Sequence, residues 1–313
     1  MMKKILLAST ALIATAGVAA ADISLSGSGR FGLSYLEGRE DAGARDDTVL
    51  YSRLRINIDA STETDGGVEF GARLRIQALN DATNNEQNAA TLNGARFSVA
   101  YGGLEVYVGN TGGAIDNMKF RSGNEPGALF EAGQGVARNY GGFGYSSGGA
   151  GNNALYTTYA VGDVLVGAGF DDTATGEEID AFITYTMGNF GATLAYGQRT
   201  ATGSDDEDTV ILGLDYNVGD LNLTAIIGDE DVNNGGVVTD ATVSDTFYGI
   251  SANYAISSAT AIQFAYGDGS GSADTDNVGI GATHSLGGGV TLAGGAGQVG
   301  DDTYASVGVR LNF

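Results

Sequence analysis

Two stretches of the chain, LYSRLRINI (Leu50–Ile58) and FGARLRIQA (Phe70–Ala78), alternate apolar and polar residues. This period of two places successive side chains on opposite faces of a β-strand, and it predicts strands with one apolar face. Each stretch carries two arginines on its polar face: Arg53 and Arg55, then Arg73 and Arg75. A strand that is apolar on one side and cationic on the other needs two different surroundings.

The same alternation recurs through the chain in sixteen segments. Most are about ten residues long, which is the length that a tilted strand needs to cross the hydrocarbon layer of a membrane. The segments are roughly 23–36, 49–60, 67–79, 91–101, 103–110, 153–161, 163–171, 178–187, 189–198, 208–218, 220–229, 245–256, 258–267, 275–286, 289–298 and 302–313. No run of 18 or more apolar residues follows residue 21, as expected where strands offer only every second side chain to lipid.

The connections between these segments alternate between tight turns and longer acidic loops. The tight turns are Gly102–Gly103, Gly162–Asp163, Gly188–Asn189, Gly219–Asp220, Ser257–Ser258 and Leu286–Gly289. The longer loops include 37–48, 80–90, 171–178, 199–207, 229–244 and 268–274. Because the alternation places all turns at one end, the sequence predicts an all-β fold, a 16-stranded antiparallel transmembrane β-barrel. A soluble β-sandwich with one wet face is the alternative.

The parity of the strands assigns six arginines to the face opposite the apolar rows. They are Arg30, Arg53, Arg55, Arg73, Arg75 and Arg96. Facing lipid at mid-depth, each would cost about 2–4 kcal/mol, so we expect them to face the lumen. They lie near the middle of four adjacent strands and predict a basic wall at the waist of a pore. The alternative is scattered lumen charges that pair with Glu69 or Asp59.

One connection, about 111–152, is far longer than the others and joins the fifth and sixth strands. Loops of this length are usually functional or disordered. We expect it to fold into the barrel as a constriction loop, with its acidic residues facing the basic wall. Those residues are Asp116, Glu125 and Glu131. The alternative is an external loop that serves as an epitope or a trimer contact.

The first 21 residues predict a cleaved secretory signal peptide, with the barrel formed by residues 22–313. Lys3 and Lys4 precede the apolar stretch Ile5–Val18, and three alanines at Ala19–Ala21 provide a cleavage site. Loss of these two lysines reduces the 15 basic residues to 13, against 38 acidic ones. So acidic a chain argues against nucleic acid as a partner, and the absence of cysteine excludes a disulfide framework.

Clustered carboxylates at the long-loop end suggest a site for Ca²⁺ or Mg²⁺, since both ions prefer oxygen ligands. The candidates are Asp171, Asp172, Asp205, Asp206 and Glu207. Such ions could bridge loops or bind lipopolysaccharide phosphates, and a solvated acidic rim is the alternative. No cofactor is required. An enzyme is not expected, because the single histidine, His284, has no evident nucleophile or carboxylate partner.

In several segments the chain resembles the general-diffusion porins of alphaproteobacterial outer membranes. They are DISLSGSGRFG (Asp22–Gly32), DGGVEFGA (Asp65–Ala72), ALYTTYAVG (Ala154–Gly162), GIGATHSLGGG (Gly279–Gly289) and VGVRLNF (Val307–Phe313). The resemblance implies a homotrimer of 16-stranded barrels in the outer membrane of a Gram-negative bacterium. It also implies that the third external loop forms the narrowest point, with the arginines and loop acids as its two sides. One departure is Glu125-Pro126-Gly127, where porins of the enteric type carry Pro-Glu-Phe-Gly.

The expected function is passive diffusion of ions and small hydrophilic solutes, filtered by size and by a transverse charge field at the constriction. The alternatives are a barrel used mainly as a structural anchor or adhesin, and a soluble exported β-protein. The net charge of −23 favours cations, whereas the arginines oppose cations at the waist.

Overall fold

The computed structural model describes residues 22–40, 46–81, 86–120, 126–127, 153–173, 176–201, 207–230, 246–269 and 276–313. The predicted signal peptide lies outside these residues. The strands are β1 (Asp22–Leu36), β2 (Thr48–Glu63), β3 (Glu69–Asp81), β4 (Glu86–Gln87), β5 (Thr91–Leu92), β6 (Arg96–Tyr101), β7 (Leu104–Gly109), β8 (Ala154–Val161), β9 (Val164–Thr173), β10 (Gly176–Met187), β11 (Phe190–Ala201), β12 (Glu207–Val218), β13 (Leu221–Glu230), β14 (Thr246–Ala255), β15 (Thr260–Gly269), β16 (Asn277–Gly287), β17 (Val290–Val299) and β18 (Asp302–Asn312). A four-residue helix, α1 (Ala114–Asn117), follows β7.

The strands form one antiparallel sheet that closes on itself, since β1 pairs with both β2 and β18. Within the described residues, the two-residue strands β4 and β5 pair with β3 and add no separate span to the wall, so sixteen strands build the wall. The seam is closed at both ends. Phe313 donates its backbone N–H to Gly27 O at 3.0 Å. At the other end, the Glu37 carboxylate accepts the Thr303 N–H at 3.0 Å, and this hydrogen bond lowers the pKa of Glu37. Closure leaves no exposed sheet edge.

The predicted 16-stranded barrel is confirmed, with two local corrections. The segment 171–178 is not a loop: β9 and β10 extend through it and are separated only by residues 174–175. Residues 93–95 interrupt the predicted segment 91–101. Turns such as Gly162 and Gly188 are tight because glycine adopts φ of +57° and +58° without a steric penalty.

The outer surface of the barrel is apolar, as the alternation predicts. Leu50 and Leu54 are 63% and 45% exposed on β2, whereas Arg53 and Arg55 on the opposite face are partly buried. The same contrast holds on β10 between exposed Ile179 and buried Asp180. Among the described residues, no helix is long and apolar enough to cross a membrane.

An apolar cluster lies inside the barrel, against the wall from β8 to β14. It joins helix residues to inward-facing wall residues: Ala114, Ile115, Met118, Tyr156, Phe182, Ala195, Ile211, Ile226 and Phe247. Lumen-facing positions of a channel are ordinarily polar. An apolar patch here therefore marks where the loop that begins with α1 packs against the wall.

Candidate pore constriction

The long loop enters the lumen part-way up the wall. The strands β6 and β7 have only six residues each, whereas most wall strands have ten or more. Gly109 ends β7 with φ of +101°, and a Cβ there would lie 2.3 Å from Ala95 O. This position therefore requires glycine. Asn110 then donates its backbone N–H to Ala95 O at 2.9 Å, and the chain leaves the sheet towards α1.

Asp180 on β10 fixes the start of this loop. Its carboxylate accepts the backbone N–H of Ala114 at 2.8 Å and of Ile115 at 2.7 Å. These are the first residues of α1, whose N–H groups have no partner within the helix. Asp180 is only 2% exposed, so water competes little for these charge-assisted hydrogen bonds.

Further along, Phe120 packs against glycines of the wall. A Cβ on Gly191 of β11 would lie 2.3 Å from the Phe120 ring, and one on Gly213 of β12 would lie 2.2 Å from Phe120 O. Both strands therefore leave side-chain space empty for the loop. Phe120 itself has a positive φ of 58°, a conformation that is rare for a bulky residue.

The loop reaches the far side of the barrel at Pro126 and Gly127. A Cβ on Gly279 would lie 3.2 Å from Pro126 Cγ, and one on Gly295 would lie 2.7 Å from Gly127 N. The Arg310 guanidinium donates a hydrogen bond to Gly127 O. The described parts of the loop thus lie along the inner wall at β9 to β12 and again at β16 to β18. This arrangement confirms the prediction that the loop folds into the barrel.

The six predicted arginines lie on the inner face, and four of them form two rows. Strand register pairs Arg30 with Arg53 on β2 and with Arg310 on β18. A second row pairs Arg73 with Arg96 on β6 and with Asp59 on β2. Arg55 and Arg75 lie between the rows, opposite Gln77 and Asn57. The arginines are therefore clustered on neighbouring strands, although not at one height.

Most of these guanidiniums are held by neutral groups. Arg55 donates to Gln77 Oε1 from Nε at 2.9 Å and from Nη2 at 2.7 Å, and Arg75 Nε donates to Asn57 Oδ1 at 2.9 Å. Two stack on aromatic rings. Arg30 lies 5.3 Å from the Tyr51 ring centroid, and Arg96 lies 5.0 Å from that of Tyr107. Such contacts orient a guanidinium without neutralising it.

Arg73 is different, because its Nε lies 2.5 Å from Asp59 Oδ1. This ion pair is the one that the alternative interpretation of scattered charges expects. Strand register places Asp59 as the acid opposite Arg73 within this group of six arginines. The wall therefore carries a net positive charge.

The predicted acidic side is only partly described. Asp116 is partly buried on α1, which contacts β9, β10 and β11. Glu125 and Glu131 lie outside the described residues. The role of all three at the constriction stays a prediction.

The proposed Ca²⁺ ligands do not converge where they are described. Asp171 is 8% exposed while its neighbour Asp172 is exposed, because successive residues of β9 face opposite sides. Glu207 starts β12, and Asp205 and Asp206 lie outside the described residues. Within the described part of the chain, no three His, Asp or Glu residues are grouped as a metal site. Cation binding stays a prediction.

Sequence reasoning missed three residues of this region. Arg310 has inward parity on β18, but only closure of the barrel brings it beside Arg30. Asp180 has inward parity on β10, opposite to the exposed Ile179, and this signal could have identified it. Asn93 falls in the interruption before β6 and carried no signal.

Together, a closed antiparallel barrel of sixteen strands, a loop folded into its lumen and a cationic inner wall define a water-filled diffusion channel.

A family model described as Gram-negative porin matches residues 8–304, and the chain belongs to this family. The protein is therefore an outer-membrane channel of a Gram-negative bacterium for passive diffusion of ions and small hydrophilic solutes.

Individual relatives agree with this assignment. A porin of Fuscovulum blasticum is 33% identical over 312 residues, which cover 93% of this chain and 100% of the relative. A porin of Rhodobacter capsulatus is 26% identical, with the same coverage of 93% and 100%. The solved structure of a triple mutant of the Rhodopseudomonas blastica porin superposes with a TM-score of 0.77 at 29% identity, covering 93% of this chain and 100% of that one.

Proposed function

We propose that the arginine wall and the infolded loop form the selectivity filter of the channel. The observation that carries the proposal is the clustering of Arg30, Arg53, Arg55, Arg73, Arg75, Arg96 and Arg310 on adjacent strands around Asp59, which pairs with Arg73. The start of the loop is held against β9 to β12, and Arg310 of the cluster holds Gly127 further along, so the passage lies between the start of the loop and the arginines of β1 to β6. Solutes must then pass close to fixed positive charge.

The filter acts through the field at a narrow, partly desolvated point. Fixed charges on a low-dielectric wall focus the potential in a channel, attracting anions and opposing cations locally. The strongly acidic remainder of the chain acts in the opposite direction at the mouths. Acidic residues of the loop would complete a transverse field that aligns dipolar solutes. Large apolar solutes would have to displace ordered water there.

We propose further that three copies assemble in the membrane, as the resemblance to general-diffusion porins implies. Outward apolar side chains on the first strands support a covered or lipid-facing surface, with Ile23 and Leu25 72% and 71% exposed in the single chain. Lipopolysaccharide in the surrounding membrane and divalent cations at the acidic loops are further proposed binding partners. The molar mass of the detergent-extracted protein, corrected for bound detergent, tests the trimer.

Planar-bilayer recording tests the filter. Wild type should insert in three equal conductance steps with ohmic current. The triple variant Arg53→Ala/Arg55→Ala/Arg73→Ala should shift the reversal potential towards cation selectivity. The matched triple replacement of the same arginines by lysine keeps the charge and should stay near wild type.

Two other results are informative. A folded, heat-modifiable barrel without any conductance would refute the filter and favour the structural anchor or adhesin. Conductance with a selectivity that the alanine variant leaves unchanged would keep the channel and remove these arginines from its filter.

A further inference from the structure

A polar cavity of about 130 Å³ lies between the arginine wall and the start of the infolded loop. Its lining residues are Arg73, Arg75, Asn93, Gly94, Arg96, Asn110, Thr111, Gly112 and Asn117. The volume is several times what one water molecule needs. Three guanidiniums therefore border a space large enough for a small polyatomic ion.

The two sides of the cavity are fixed by backbone hydrogen bonds. On the wall side, Asn93 donates its backbone N–H to Arg75 O at 2.8 Å. On the loop side, Asn117 Nδ2 donates to Gly112 O at 3.0 Å and to Gly113 O at 2.7 Å. Arg73 and Arg96 are directly opposed in the strand register. The cavity is thus organised before any solute enters, which lowers the cost of ordering a ligand.

Asn93 is the residue that this fold leaves unexplained. It is 4% exposed, and neither its Nδ2 nor its Oδ1 makes a hydrogen bond with any residue that the structure describes. Leaving a buried amide unsatisfied costs about 1–3 kcal/mol. A residue in this state, bordering a cavity lined by three arginines, is suited to a partner that both accepts and donates hydrogen bonds, such as water or a protonated oxyanion.

We propose that this cavity is a weak binding site for inorganic phosphate within the filter. The inference rests on the proposed function of the arginine wall and names a solute class for it. Phosphate oxygens accept hydrogen bonds from guanidiniums and from Asn93 Nδ2, and arginine is well matched to such oxyanions. At neutral pH phosphate also keeps a hydroxyl, which donates to Asn93 Oδ1.

The hydroxyl separates phosphate from other oxyanions. Sulfate has similar size and shape but carries no proton at neutral pH, so Asn93 Oδ1 stays unsatisfied in its presence. A site lined by arginines alone would bind phosphate and sulfate with almost equal affinity. Asp59 supplies one opposing charge through its pair with Arg73, and this keeps the site weak enough for release, as conduction requires.

The test is the chloride conductance of single channels as phosphate or sulfate is added at constant ionic strength. In wild type, phosphate should reduce the chloride current saturably with a half-effect in the millimolar range, and sulfate should act more weakly. Asn93→Leu removes both hydrogen bonds to phosphate and should weaken the phosphate effect by roughly tenfold. Asn93→Asp adds a negative charge and should abolish the effect.

Asn222→Leu is the matched control. Asn222 is a partly buried amide on β13 whose Nδ2 donates to Asp215 Oδ2 at 2.7 Å, well away from the cavity, so its replacement should leave the phosphate effect unchanged. Heat-modifiable electrophoretic migration confirms that each variant barrel is folded.

The outcomes separate the two proposals. Arginine-dependent selectivity with identical phosphate and sulfate effects, indifferent to Asn93→Leu, would overturn the phosphate site and leave the filter standing. Unchanged selectivity in the triple alanine variant would overturn the filter, whatever phosphate does.

Discussion

The inner wall of this barrel is divided into two unlike regions. From β18 through β6 it presents arginines held by amides and aromatic rings. From β8 through β14 it presents buried apolar side chains that form one cluster with Ala114 and Ile115 of α1. Both regions are built from the same alternating strands, so the difference lies entirely in the residues at inward positions. One region can contact passing solutes, whereas the other holds the constriction loop.

The contrast shows how a channel can be both narrow and rigid. Burial of Ile115 and Met118 against the wall removes apolar surface from water, which stabilises the loop by about 25 cal/mol per Å². A charged wall could not hold the loop in this way, because guanidiniums remain hydrated. Because the loop is anchored on the apolar region, the arginines remain available to contact solutes in the pore.

The largest effect on conductance is expected from replacing Asp180, which anchors the start of α1 to the inner wall by hydrogen bonds. Asp180→Ala removes two charge-assisted hydrogen bonds, each contributing about 1.5–3 kcal/mol, and should release the start of the loop. Single-channel recordings should show higher, noisier conductance, and protease should cut within 111–120. Asp180→Asn keeps one acceptor and should show a smaller change. Quiet, wild-type conductance in Asp180→Ala would show that the loop does not depend on this contact.

A steric change should displace the loop at its second contact. Gly213→Val places side-chain atoms where Phe120 O lies, 2.2 Å from the position of a Cβ, and overpacking typically costs about 1–3 kcal/mol. The expected result is a lower melting temperature together with altered conductance. Gly66→Ala is the control, since a Cβ there meets only Thr64 Oγ1 at 3.9 Å. Equal melting temperatures for both variants would contradict the packing.

Arg310 tests the border between the two regions. Arg310→Gln removes the hydrogen bond to Gly127 O and one positive charge from the wall, so both conductance and selectivity should change modestly. Arg310→Lys retains the positive charge. Its selectivity should therefore stay closer to wild type than the position of its loop does. A selectivity unchanged in Arg310→Gln would place this residue outside the filter.

The smallest effect should come from a charge outside both regions. Asp163 lies in the turn between β8 and β9, and surface substitutions of this kind usually change stability by about 0.5 kcal/mol or less. Asp163→Asn should therefore match wild type in melting temperature and reversal potential. A marked shift in reversal potential would mean that charges far from the waist govern selectivity.

Much of this architecture follows from local pattern. Period-two alternation located all sixteen wall strands, and parity alone placed the six arginines opposite the apolar rows, because the cost of charge in lipid allows no other orientation. The interruption at residues 93–95 was not predictable, since it depends on how Gly109 and Ala95 approach each other. The proximity of Arg310 to Arg30 follows only once the strand count closes the barrel.

The loop was harder to predict than the wall. Its length and acidic residues suggested infolding, but its contacts depend on side-chain shape. Gly191 and Gly213 make room for Phe120, and nothing in the local sequence of either strand pairs it with that residue. For Asp180, strand parity predicts that the side chain faces inward. Its hydrogen-bond partners could not be predicted from the sequence, because they are backbone N–H groups 65 and 66 residues away.

The most direct test of the division between the two regions is the reversal potential under a salt gradient. It should be recorded for wild type, for Arg53→Ala/Arg55→Ala/Arg73→Ala and for Asp180→Asn under the same conditions. The account predicts that the arginine variant moves towards cation selectivity with quiet current, while Asp180→Asn keeps its selectivity and gains noise. Equal shifts in reversal potential for both variants would contradict the account, because filtering and anchoring would then not reside on separate walls.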